Sequence, residues 1–253
     1  MSYENLSGRT AVVTGAASGI GEALALRLAA EGARVALLAR RADRLQALVE
    51  RIRADGGEAL AVAADVTDDA SVDAARDLVH STFGAVDLVV NNAGVMLPNP
   101  IADGRIDEWQ RMLDTNVSGV LRVIRAFGAD LVAAAGEGRT ADLVNISSIG
   151  AHITFPDYAV YGATKAAVTY LSQSLRTEFG PRDVRVTNIE PGLTETELKD
   201  HVDSAELSGQ LDGMLEAIGA LSAAEVADVV AYAVGRPRHV NLRQIMVLPT
   251  RQA

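Results

Sequence analysis

The sequence predicts an α/β fold built on a parallel sheet, and three observations carry that expectation. Short apolar, β-branched runs alternate with longer amphipathic stretches along the chain, the pattern of strands joined by crossover helices. The first run, Thr10–Thr14 (TAVVT), passes at once into a glycine-rich turn, a helical pattern and a second run, Arg34–Ala39 (RVALLA). Such a strand–turn–helix–strand unit requires parallel pairing and a right-handed crossover. Polar residues then collect just after the strands, at the sheet edge where parallel α/β proteins bind ligands.

The bulk properties fit one domain over residues 1–253, with 49% hydrophobic residues to build its core. A net charge of −10 argues against nucleic acid or an anionic membrane as partner. With no cysteine, disulfides, thiolate metal sites and a cysteine nucleophile are excluded, and no other metal-ligand cluster is evident. The polar start, Met1–Arg9, lacks a signal-peptide apolar region, and no apolar run reaches membrane-spanning length. The expectation is a soluble cytoplasmic protein.

In chain order, the turn Gly15-Ala16-Ala17-Ser18-Gly19-Ile20-Gly21 lets backbone N–H groups approach a pyrophosphate, at the positive end of a helix beginning near Ser18. At the end of the second strand, Ala39 stands where a carboxylate would bond ribose hydroxyls, and Arg40 and Arg41 follow. That exchange removes repulsion against a 2′-phosphate and adds a guanidinium to pair with it. NADP(H) is therefore expected over NAD(H), with Arg40 the first choice and Arg41 the second. After the third strand (Ala59–Ala63), Asp65-Val66 reads equally as an adenine contact or as a turn before the next helix.

The fourth strand (Val86–Val90) ends in Asn91-Asn92-Ala93-Gly94, and a Pro-containing loop, Met96–Gly104, is expected at the site mouth. One long helix is expected from Asp107 to about Ala135, with Asn116 inside it; asparagine is a poor helix-interior residue, so a role or an exposed position is implied. The fifth strand (Ala141–Ile146) ends in Ser147-Ser148. A helix from about Tyr158 to Phe179 carries Tyr161 and Lys165, one turn apart on one face. An ammonium there would favour phenolate, lowering a phenol pKa normally near ~10. The sixth strand (Val184–Ile189) ends in Pro191-Gly192-Leu193-Thr194-Glu195-Thr196. Residues 195–220 read as a less regular, substrate-covering lid, and Ser222-Ala-Ala-Glu225 as a capping box. A seventh strand is expected at Gln244–Leu248. Met96, His152, Phe155, His201 and Met214 are candidate pocket walls.

Together, Thr14-Gly15-Ala-Ala-Ser-Gly19-Ile-Gly21, Asp65-Val66, Asn91-Asn92-Ala93-Gly94, Asn116, Ser148, Tyr161-x-x-x-Lys165 and Pro191-Gly192-x-Thr194-x-Thr196 resemble the short-chain dehydrogenase/reductase family, in its order, over about residues 9–196. The resemblance implies a single Rossmann-type domain, a seven-stranded parallel sheet with three helices on each face, and a homotetramer or homodimer. It implies a catalytic set of Asn116, Ser148, Tyr161 and Lys165; Ser148 rather than Ser147 stands thirteen residues before the tyrosine, as in the family. Ser148 would bond a substrate carbonyl, Tyr161 would exchange its proton, Lys165 would tune the phenol and hold ribose, Asn116 would keep a relay water, and Thr194 would bond the nicotinamide carboxamide. The ending Val240–Gln252 lacks the Val-Asp-Gly-Gly of many members and is similar to a subgroup with NADP-dependent 3-hydroxy acid dehydrogenases and the clavulanate-pathway aldehyde reductase. The expected substrate is a small carbonyl or alcohol compound: an aldehyde, ketone or hydroxy acid. A non-catalytic dinucleotide sensor that binds a protein partner ranks lower, because Tyr161 and Lys165 are both kept. A family enzyme acting on another bond, such as an epimerase or a C=C or C=N reductase, is the third reading.

Overall fold

All seven strands read from the sequence pair into one parallel sheet. The computed structural model describes residues 6–201 and 204–252. The strands are β1 (Thr10–Thr14), β2 (Arg34–Ala39), β3 (Glu58–Ala63), β4 (Leu88–Asn91), β5 (Ala141–Ile146), β6 (Val184–Pro191) and, last in the chain, β9 (Gln244–Val247). Their order across the sheet is β3-β2-β1-β4-β5-β6-β9. The order reverses between β1 and β4, so the connections after these strands diverge and leave a crevice at their carboxyl ends.

Alternation along the strands divides the core between the two faces. Val13, Leu37, Val90 and Val144 pack with apolar residues of α1 (Gly19–Ala30), α2 (Ala42–Ala54) and α8 (Ala223–Val234). Val12, Leu38, Val89 and Leu143 pack with those of α3 (Asp69–Phe83), α5 (Gly119–Gly136) and α6 (Ala159–Phe179). With α4 (Ile106–Leu113) leading into α5, this gives three helices, one of them interrupted, on the second face. Among the described residues no helix is long and apolar enough to cross a membrane.

Two expectations change. The single helix expected from Asp107 is broken: α4 and α5 are joined by a π-helical turn, Asp114–Ser118, with Asn116 at its centre. The residue that disfavours a regular helix marks where the helix widens. The segment after β6 is more regular than expected, with a 3₁₀ turn (Glu197–His201) followed by α7 (Ala205–Ile218). Ser204 caps α7 by accepting from the Leu207 amide. Gly209 and Gly213 hid this helix, because each glycine lowers helix propensity by ~1 kcal/mol. The base of the segment is fixed by a parallel pair that the sequence reading did not foresee, β7 (Thr194–Glu195) with β8 (Leu221–Ser222). The expected capping box is present, with Ser222 and Glu225 bonded reciprocally.

At the opposite, amino-terminal edge, a buried ionic cluster ties the strands together. Arg9 donates to Asp87 at 2.9 Å and to Asp142 at 2.7 Å. Arg185 donates to both oxygens of Asp142, each at 2.7 Å. All four side chains are buried.

Candidate active site

A cleft of about 1020 Å³ opens at the carboxyl edge of the sheet. It is lined by Gly15, Ser18, Gly19, Ile20, Arg40, Arg41, Asp65, Val66, Asn92, Ala93 and Gly94 at one end, and by Ser148, Tyr161, Lys165, Pro191, Gly192, Thr194 and Thr196 toward the other. Two expected site residues stand outside it. Gly21 lies behind the turn, where a Cβ would fall 2.3 Å from the Gly15 carbonyl and 2.5 Å from Asn92 Nδ2; it is needed so that the turn can close on itself. Asn116 is buried beneath the cleft wall.

The turn between β1 and α1 is held from below by β4. Thr14 Oγ1 accepts from the backbone amides of Asn92 and Ala93, each at 3.0 Å, while Asn92 Nδ2 donates to the Thr14 carbonyl at 2.9 Å. Gly15 adopts φ +66, and a Cβ there would lie 2.9 Å from Ala93 Cα. The glycine thus allows both the left-handed backbone and the close approach of β4. Ser18, the N-cap of α1, makes no capping bond of its own; its hydroxyl instead accepts from Arg41 Nη2 at 2.8 Å. The amino end of α1 therefore faces the cleft without a side-chain oxygen on it, which fits a phosphate group. Asp65 Oδ1 accepts from the Thr67 amide and hydroxyl, the turn role that the sequence left level with adenine recognition. Burial pushes its carboxyl up, but the Thr67 bonds and the charges of Arg40 and Arg122 outweigh this and hold it below the usual range.

At the centre, α6 turns Tyr161 and Lys165 inward, both buried. Ser147 is spent: it donates to the Lys165 carbonyl at 2.9 Å and touches Thr169 Oγ1 at 2.8 Å. Ser148, at the start of the 3₁₀ turn Ile149–Ala151, faces the cleft; its Oγ accepts from the Gly150 amide at 3.0 Å and stands near enough to the Tyr161 phenol to draw its pKa down. Lys165 Nζ donates to the Ile146 carbonyl at 3.0 Å and lies 5.8 Å from the centroid of the Tyr161 ring. Here the expected direction is overturned. Burial pushes the Tyr161 phenol up to about 12, against the lowering effect of Ser148 and with a small rise from Tyr158. Burial also pushes the Lys165 amine down, to about 8. Desolvation wins over the tuning that one-turn spacing suggested, because the ammonium is itself desolvated and turned to a carbonyl.

Asn116 uses the π-turn to reach two elements. Its Oδ1 accepts from the Val95 amide at 2.8 Å, and its Nδ2 donates to the Val95 carbonyl at 2.9 Å and to Thr164 Oγ1 at 3.1 Å. It pins the β4 loop to α6 one residue before Lys165. Thr194 donates to the Gly192 carbonyl at 2.9 Å, and Thr196 accepts from the Leu198 amide. Over the tyrosine, Val95, Met96, Leu97 and Met112 form a separate apolar cluster with Tyr161, against which Leu198 and Leu211 of the 195–220 segment pack. Met96, His152, Phe155 and Met214 line the cleft as expected; the side chain of His201 lies outside the described residues.

Comparison with known proteins places this architecture. A family model described as short chain dehydrogenase matches residues 9–207. The chain belongs to that family of oxidoreductases. It is 36% identical over 244 residues to an uncharacterized oxidoreductase of Staphylococcus aureus, covering 96% of this chain and 98% of that one. Among solved structures, it is similar to a 3-ketoacyl-(acyl-carrier-protein) reductase from Brucella melitensis complexed with NADH, at 31% identity and TM-score 0.85, covering 98% of this chain and 100% of the other. It is similar also to a closed form of serine dehydrogenase complexed with NADP+, at 30% identity and TM-score 0.87, covering 96% of each chain.

Several contacts at or beneath the cleft of this short-chain dehydrogenase were not foreseen from the sequence. Gln252 Oε1 accepts from the Leu193 amide at 2.8 Å and sits where a Gly192 Cβ would fall, 2.2 Å away. His152 Nε2 contacts Glu190 at 2.8 Å, and Glu190, wholly buried, also accepts from Thr169, Asn188 and Gln244. Arg44 and Glu197 meet at the cleft mouth. Only Arg41 and Arg44, three apart at the start of α2, offered a local signal.

Proposed function

We propose that the protein is an NADP(H)-dependent oxidoreductase that transfers hydride between nicotinamide and the carbon of a carbonyl or alcohol: an aldehyde, ketone or hydroxy acid. The observation that carries the reading is Ser148 beside a buried Tyr161, with Lys165 behind it, at the floor of a cleft whose other end is lined by arginines and no carboxylate at Ala39. The cleft suits the dinucleotide: an open helix terminus for the pyrophosphate, and Arg40 and Arg41 for a 2′-phosphate. Arg40 makes no hydrogen bond or ion pair among the described residues, which supports it as the first choice. Related structures hold NADH in one case and NADP+ in another, so the preference rests on these arginines.

When bound, the cofactor supplies the hydride. In reduction, Ser148 donates a hydrogen bond to the carbonyl oxygen, and Tyr161 gives that oxygen its proton as negative charge develops. Lys165, as an ammonium, stabilises the phenolate left behind and holds ribose hydroxyls. Asn116 keeps a relay water near Lys165 through the remaining lone pair of Oδ1. Asp65 and Val66 border adenine, and Thr194 the carboxamide. Residues 195–220 form the lid. The reading extends to a homotetramer or homodimer, which exposed Leu121 and Tyr170 on α5 and α6 support. NADPH oxidation over a panel of aldehydes, ketones and β-keto acids tests the reading. At least one carbonyl compound should be reduced, and Arg40→Asp should lower the NADPH/NADH ratio of kcat/KM about tenfold or more. An unchanged ratio would refute the cofactor assignment, and cofactor binding without oxidation across the panel would favour a sensor.

A further inference from the structure

Three cations and one carboxylate meet at the mouth of the cleft. Arg40, Arg41 and Arg44 line it beyond β2, and Glu197 faces them from the first residue after β7 and Thr196. Glu197 Oε2 accepts from Arg41 Nη1 at 2.8 Å, and its Oε1 accepts from Arg44 Nη1 at 2.7 Å. The carboxylate thus spans two guanidiniums with one oxygen on each, as a phosphate oxyanion would. Arg41 gives its second nitrogen to Ser18, so one residue connects the phosphate turn, the arginine cluster and the start of the lid. The bonds from Arg41 and Arg44 hold the Glu197 carboxyl down at about 2, which keeps it an anion across the neutral range. The pairing of β7 with β8 anchors the segment two residues away.

We propose that Glu197 is an internal anion that competes with the cofactor's 2′-phosphate for Arg41 and Arg44, latching the lid to the basic end of the cleft until a 2′-phosphorylated dinucleotide displaces it. This rests on the reading of the cleft as an NADP(H) site. A phosphate at these guanidiniums and the Glu197 carboxylate repel each other over a few ångströms, so the two cannot hold the pair equally. The side chains of Glu197, Arg41 and Arg44 are 39%, 44% and 49% exposed. Solvent screens their pairing, which suits a contact made to be exchanged. A dinucleotide without the phosphate leaves the latch in place. Glu197 is then a specificity-determining residue that lowers affinity for the phosphorylated cofactor and is silent toward the other.

The test uses 2′,5′-ADP and 5′-AMP as probes, titrated by calorimetry into wild type, Arg40→Asp and Glu197→Gln. Backbone hydrogen exchange of α7 is followed in parallel. Glu197→Gln should bind 2′,5′-ADP about three- to tenfold tighter than wild type and 5′-AMP equally. In wild type, 2′,5′-ADP but not 5′-AMP should speed exchange in α7; Glu197→Gln should show the faster exchange without any probe. If Glu197→Gln binds 2′,5′-ADP no tighter than wild type, the latch is wrong. If that happens while wild type prefers 2′,5′-ADP and Arg40→Asp loses the preference, the cofactor reading survives alone. If wild type shows no preference between the probes, both fall.

Discussion

At Tyr161 and Lys165 burial decides the chemistry. With the phenol at about 12 and the amine at about 8, Tyr161 carries its proton throughout the neutral range, the state that the proposed reduction would draw on. The proposed oxidation would need the phenolate, so alkaline pH should favour it. In the reduction direction, kcat/KM should be level at neutral pH and fall as pH rises through about 8, where Lys165 loses its charge; a profile level to pH 10 would remove Lys165 from this role. The stability consequence has a definite sign. Lys165 has a folded value below its ordinary 10.5, so the unfolded chain binds more protons between the two values and stability rises with pH across that window. Lys165→Met should flatten that rise in denaturant titrations. The sequence disclosed the pair and its spacing. It could not disclose desolvation, which depends on β5, the loop after β4 and Leu198 and Leu211 packing against the cluster around Tyr161.

The elements that place these residues were legible to different degrees. Strands were clear, because β1, β2 and β4 read as short, mostly apolar runs, while β5 and β6, buried along their whole length, keep Leu143, Val144, Ile146, Val184, Val186 and Ile189 among their polar residues. The turn after β1 was clear from its glycines, although Gly21 serves the turn's closure rather than the cleft. The π-turn at Asn116 was visible only as a residue out of place. The ionic cluster of Arg9, Asp87, Asp142 and Arg185 was invisible, since Arg9 and its partners stand 78 and 133 residues apart. It holds the edge of the sheet remote from the cleft. Asp142→Ala would leave two buried guanidiniums without their shared carboxylate, a loss of ~3–5 kcal/mol. Urea unfolding should show that loss as a lower midpoint, with cofactor binding retained in the folded protein. A change under ~1 kcal/mol, the range of an exposed pair, would mean that the cluster is better solvated than its burial indicates.

Across the whole molecule, the crevice between β1 and β4 gathers groups from nearly every strand end: the glycine-rich turn after β1, arginines after β2, Asp65 after β3, Gly94 after β4, Ser148 after β5 and Thr194 after β6. Order along the chain and position at strand ends made most of this set readable. Contacts that cross between segments, such as Glu197 with Arg41 and Arg44 or Glu190 with His152, were not, because neither partner marks the other in the sequence. The central proposal is that these groups hold cofactor and substrate where Tyr161 exchanges a proton. Its most direct test is the rate of NADPH-dependent reduction of the best panel substrate by Tyr161→Phe, with NADPH binding measured on the same sample. Turnover should fall by about 10²–10⁴ or more while NADPH binds as in wild type. Turnover within a few-fold of wild type would contradict the proposal.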